Sequence, residues 1–190
     1  RPAARGLRVL AVVALVLGAG LAVLSTGPRL GDLALQALGR DPLGPVQTRL
    51  SADGRQLQLA GALGPGSAAQ LQAALAQAPQ VQALLLQVEP GRLHDALQLA
   101  QVVRSRGLAT RVAGRCVNGC ALVFLAGARR QLLPGAQLGF HRVVVQGWAR
   151  PWQAWVLRQW GAVLGQAGLS RHLQTKALAA TPAQPWSPDV

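Results

Sequence analysis

The chain has 190 residues, 51% of them hydrophobic and 13% charged, with a formal net charge of +13. That length fits one domain with an appendage, and the apolar fraction supplies a full core. The basic excess favours anionic partners such as lipid head groups. The arginines are dispersed, however, and do not interleave with aromatics as a strand-binding groove requires, so no nucleic-acid partner is expected.

Residues 1–8 form an arginine-bearing head, and residues 9–24 (VLAVVALVLGAGLAVL) carry no charge. Ser25, Thr26, Gly27 and Pro28 end the run. A bilayer-spanning helix needs about 17–25 residues and a signal h-region about 7–15, so the run lies between the two. No clean A-x-A cleavage site is present, which favours an uncleaved anchor over residues 1–28. The basic head then stays cytoplasmic and the remainder is exported. Residues 29–45 read as a linker, residues 46–186 as the folded domain and residues 187–190 as a tail.

Within the domain, residues 46–50 and 56–59 alternate apolar and polar around Asp53-Gly54, the pattern of two strands joined by a turn. Ser67 is the expected N-cap of a helix that reaches residue 78. Residues 81–88 (VQALLLQV) predict a strand buried on both faces. Leu93, Leu97, Ala100 and Val103 make one stripe of a helix over 93–106, closed by Gly107. A strand follows over 108–112. Further helices are expected over about 152–166 and 170–180. Alternating strands and helices predict an α/β domain with mostly parallel pairing.

Residues 115–141 (RCVNGCALVFLAGARRQLLPGAQLGFH) hold the chemistry. Two cysteines flank Val117, Asn118 and Gly119. A short apolar helix-like run, a basic turn at Arg129 and Arg130, and an apolar strand ending in His141 follow. A polar turn opening a buried helix, with histidine delivered by a strand end, suits nucleophilic catalysis.

The stretch GLATRVAGRCVNGCALVFLAGARRQLLPGAQLGFH, preceded by LLLQVEPGRLHDALQLAQVVRSRG, resembles the Clp-protease and crotonase superfamily. It is similar to an uncharacterised periplasmic branch in bacteria. Cys116, Cys120, Phe124, Gly127, Arg130, Gly139 and His141 fall in register with that branch. The resemblance implies a ββα superhelix, commonly assembled as trimers or larger rings, and therefore a homo-oligomer of the trimer type. It implies residence in a bacterial inner membrane, with the domain in the periplasm. Pro90, Gly91 and Gly119 match the family's oxyanion turns.

Clp-type proteolysis needs serine, histidine and an acid. Asn118 holds the serine's place, and a carboxamide is a poor nucleophile. His141 matches the family base, but the only acid after it is Asp189, near the chain end, so nothing is expected to orient the imidazole. Pro90 has no N–H to donate. A serine–lysine dyad fails as well, because Lys176 lies in the last helix. The expectation is a pseudo-enzyme that binds or assembles, with a protein or peptide partner and neither cofactor nor metal. The alternative is a peptidase-like hydrolase or a crotonase-type enzyme using His141, with Glu89 and His94 near the other turn. N-capping by Asn118, and a merely structural strand-end His141, compete with both readings.

Cys116 and Cys120 are the only cysteines, and an even pair outside the cytoplasm reads as a disulfide. If Cys116 precedes the helix, their Cα atoms can come within about 4.4–6.8 Å. A metal site with His141 and a Cys120 thiolate nucleophile are the alternatives. Trp148, Trp152, Trp155 and Trp160 crowd one segment. Packing of that helix, an oligomer face and membrane-interface contact all remain open for it.

Overall fold

The computed structural model describes residues 43–89, 91–143, 153–182 and 185–186. The expected anchor over 1–28, nearly all of the linker, Pro90, Trp148 and Trp152 lie outside these residues. No helix among the described residues is long and apolar enough to cross a membrane.

The chain order is β1 (Gln47–Leu50), β2 (Gln56–Ala62), α1 (Ser67–Gln77), β3 (Ala83–Glu89), α2 (Leu93–Ser105) and β4 (Ala109–Val112). Then come β5 (Arg115–Val117), α3 (Gly119–Leu125), β6 (Arg130–Leu132), β7 (Gln137–Gly139), α4 (Gln153–Gln166) and α5 (Arg171–Ala179). Strands β1-β2-β3-β4-β6 form one sheet and β5-β7 a second. Among the described strand pairs, β1–β2 is antiparallel and the others are parallel. Where two strands precede a helix after β3, the first joins the large sheet and the second the small one.

The hairpin turn is made by side chains as well as backbone. The Ser51 hydroxyl donates to Asp53 Oδ1 and the Arg55 N–H donates to the same oxygen. These two donors hold the Asp53 carboxyl below its ordinary pKa, the Ser51 bond being the larger cause. Alternation then sends Leu57 and Leu59 of β2 inward, opposite Leu84 and Leu86 of β3. Leu71 and Leu75 of α1, Leu99 and Val103 of α2, and nearly all of α3 complete one core with them. Gly107 closes α2 at φ 61°, a left-handed position favoured by glycine.

Two local expectations are corrected. Ser67 is the first helical residue rather than the cap. It is buried, with its hydroxyl donating to the Gly64 carbonyl and accepting from the Val46 N–H, so it ties the residue just before β1 to α1. Arg130 is not in a turn but opens β6, because Thr110 of β4 pairs with it. The clustered tryptophans separate in role. Trp160 is 1% exposed in the core, whereas Trp155 is 52% exposed.

Candidate active site at the β5–α3 elbow

The register of the small sheet builds the site. Val117 pairs with Gly139, so the residues just past each strand end, Asn118 and His141, come together. Asn118 N–H donates to the Gly139 carbonyl at 3.0 Å, and the Asn118 carbonyl accepts from Leu122 N–H to start α3. Between these two bonds the chain must turn from strand to helix within one residue. Asn118 does so at φ 49°, ψ −104°, the sole non-glycine positive φ among the described residues. Backbone held in so sparsely populated a region costs on the order of 1–3 kcal/mol and recurs at functional elbows.

The Asn118 side chain makes no capping bond to α3. Its Oδ1 instead accepts from His141 N–H at 2.8 Å, extending the β5–β7 ladder by one rung with a side-chain carbonyl. Its Nδ2 faces the imidazole at 3.2 Å. His141 Nδ1 lies 2.8 Å from the Arg142 carbonyl oxygen. A carbonyl only accepts, so the proton sits on Nδ1, and the Asn118 amide stands equally far from both ring nitrogens. The expectation that nothing orients His141 is therefore corrected: a main-chain carbonyl occupies the acid's usual role. The His141 carbonyl in turn accepts from Trp160 Nε1 at 3.1 Å. Backbone acceptors leave no trace in residue identity, and Trp160 reads from sequence only as an apolar position on a helix.

Cys116 and Cys120 form a disulfide with Cα atoms 5.2 Å apart, bracketing the elbow. Both sulfurs are thereby withdrawn from thiolate and metal-ligand roles. No group of three or more metal-binding side chains occurs among the described residues. Lys176 Nζ lies 6.0 Å over the Trp186 ring, itself stacked on Phe140.

Gly91 and Gly119 meet around one residue. A Cβ on Gly91 would lie 2.1 Å from the Leu63 carbonyl oxygen, and one on Gly119 would lie 3.2 Å from Leu63 Cδ1 and 3.0 Å from Ala96 Cβ. The approach to backbone at Gly91 therefore demands glycine, and a Cβ at Gly119 would be tight against side chains. A cleft of about 650 Å³ opens beside the elbow, lined among others by Gln87, Glu89, Arg115, Val117 and His141. Glu89 thus shares a cleft with His141; His94 is an exposed residue of α2 and does not line it.

No protein-family model matches the chain, and no curated protein matches it. Among solved structures, ClpP1 from Listeria monocytogenes superimposes with a TM-score of 0.56 at 12% identity, covering 68% of this chain and 81% of that one. A point mutant of ClpP1 from the same organism gives 0.55 at 13% identity, covering 66% and 80%. The described domain has a Clp-protease-like fold. Within this Clp-like frame the elbow residue is a carboxamide.

Proposed function

We propose that this chain is a membrane-anchored, extracytoplasmic Clp-fold module that binds or assembles without cleaving peptides. The observation that carries the reading is the carboxamide that faces His141 at the elbow. Asn118 Nδ2 stands 3.2 Å from both ring nitrogens of His141, at the elbow position from which a nucleophile would face the imidazole. A carboxamide cannot become the attacking group of the covalent route, and among the described residues it is a main-chain carbonyl, not a carboxylate, that stands at His141 Nδ1. The uncharged run at 9–24 supports the anchor, and the disulfide supports an oxidising compartment on its outer side. The Clp-like fold favours a homo-oligomer, and the cleft beside His141 offers a place for a peptide segment.

Membrane-inserted full-length protein is expected to resist labelling by a fluorophosphonate and to leave casein intact. Asn118→Ser restores an attacking oxygen beside His141 and is expected to gain labelling. Labelling or turnover by the parent chain, abolished by changing one residue of the elbow, would sink the reading. The cleft shared by Glu89 and His141 favours one competing reading, a crotonase-type enzyme that needs no nucleophile. His141→Ala would then remove turnover of an acyl substrate, where the binding role predicts altered stability alone.

A further inference from the structure

The chain contains a single asparagine, and it is the elbow residue, followed directly by glycine. We propose that Asn118-Gly119 is a self-modification site, where the elbow carboxamide converts to a carboxylate through a cyclic imide. Three observations converge on it. First, the backbone at φ 49°, ψ −104° matches the first central position of a type II′ turn. Tetrahedral geometry sets Cβ about 120° from N around the Cα–C axis, so at this ψ the Gly119 nitrogen nearly eclipses Cβ. That is the arrangement a five-membered ring through Gly119 N and Asn118 Cγ requires. Second, Gly119 is the first residue of α3, where an N–H has no intrahelical partner. Lacking a side chain, it adds no bulk at the nitrogen that must attack. Third, the imidazole of His141 stands 3.2 Å from Nδ2, the nitrogen that must leave.

In the first step the Gly119 nitrogen adds to Asn118 Cγ, forming an N–Cγ bond, and water takes the proton it sheds. The Cγ–Nδ2 bond then breaks, and that proton, passed from water to His141 Nε2 and on to Nδ2, lets the nitrogen depart as ammonia. Water next adds to one imide carbonyl. Opening on the Cγ side breaks the new N–Cγ bond and leaves aspartate. Opening on the main-chain side breaks the original peptide bond and leaves isoaspartate. Carboxamide and water become carboxylate and ammonium, with no oxidant or reductant. Asn118 is only half-buried, so water reaches it. The aspartate product presents an ionised oxygen to His141, a kind of group that serves as nucleophile in other hydrolases.

The test reads covalent change rather than turnover, so it stands apart from the proposed lack of peptidase activity. Freshly purified full-length protein is held at neutral pH in heavy-oxygen water, digested, and the peptide following Arg115 is mapped. The folded chain is expected to take up label at position 118 at least about tenfold faster than the same chain in denaturant, because the folded geometry is prepaid. Asn118→Gln is expected to take up none there. His141→Ala and His141→Gln are each expected to lose most of the folded-state advantage. A folded chain that converts no faster than the unfolded one would overturn the proposal, the carboxamide being protected by its bonds to His141. Folded rates unchanged in both His141 variants would overturn the imidazole's part.

Discussion

The large sheet and the small sheet meet different demands. In the large one, seven paired positions join β2 to β3, and the facing leucines Leu57, Leu59, Leu84 and Leu86 are almost wholly buried. In the small one, β5 and β7 each span three residues, and their alignment rests on Cys116, Asn118 and His141 as much as on strand pairing. The large sheet is specified by apolar area, its buried hydroxyl, on Thr110 of β4, being answered by the Phe124 carbonyl. The small sheet is specified by directional contacts, which position polar groups at the cost of a strained residue. Both sheets share one core through Cys116, Cys120 and Leu138, but the elbow's polar bonds are separate from the leucine pairs, so the fold is expected to survive a change in the elbow's chemistry.

The sharpest way to break that contrast is Leu86→Ala. It removes a fully buried side chain from the centre of the large sheet and is expected to cost about 2–5 kcal/mol. Denaturant melts followed by circular dichroism should show the whole described domain losing stability together. A smaller effect comes from replacing both cysteines, Cys116→Ser with Cys120→Ser. Closing so short a loop stabilises by about 2 kcal/mol, and the loss should concentrate at the elbow. Hydrogen exchange should quicken around residues 115–125 while the β2–β3 ladder keeps its protection. Uniform acceleration across both sheets would contradict the separation drawn between them.

The smallest effect is expected at the exposed hairpin. Asp53 has a lowered pKa, so its charge contributes stability above the unfolded value of about 3.9, and that contribution fades as pH falls through the folded value. Asp53→Asn should therefore melt slightly lower than the parent at neutral pH. The two curves should converge in acid. A difference that persists below both pKa values would show that lost geometry, not charge, sets the effect.

The large sheet was legible in the sequence because burial writes itself as alternation and stripes. The run at 81–88 and the stripe through Leu93, Leu97, Ala100 and Val103 placed β3 and α2 within a residue or two. The elbow was legible in its residues but not in its bonding. Strand β5 escaped notice because three residues beginning with an exposed arginine carry no period. Strand β6 did so for the same reason, since Thr110 and its neighbours rather than its own side chains hold it in the sheet. The Asn118 side chain looked like a helix cap because asparagine does that well locally. Only the long-range register of β5 on β7 redirects it to His141.

Phe140 exchanges both main-chain hydrogen bonds with Trp186, at 2.8 Å each way. The segment carrying the imidazole is thus moored by a residue far downstream, beyond the last helix. A protease nick between Thr181 and Trp186 would cast off that mooring while sparing the large sheet, leaving the histidine held by Asn118 and Trp160. Fusion partners appended after Trp186 would pull on the same line.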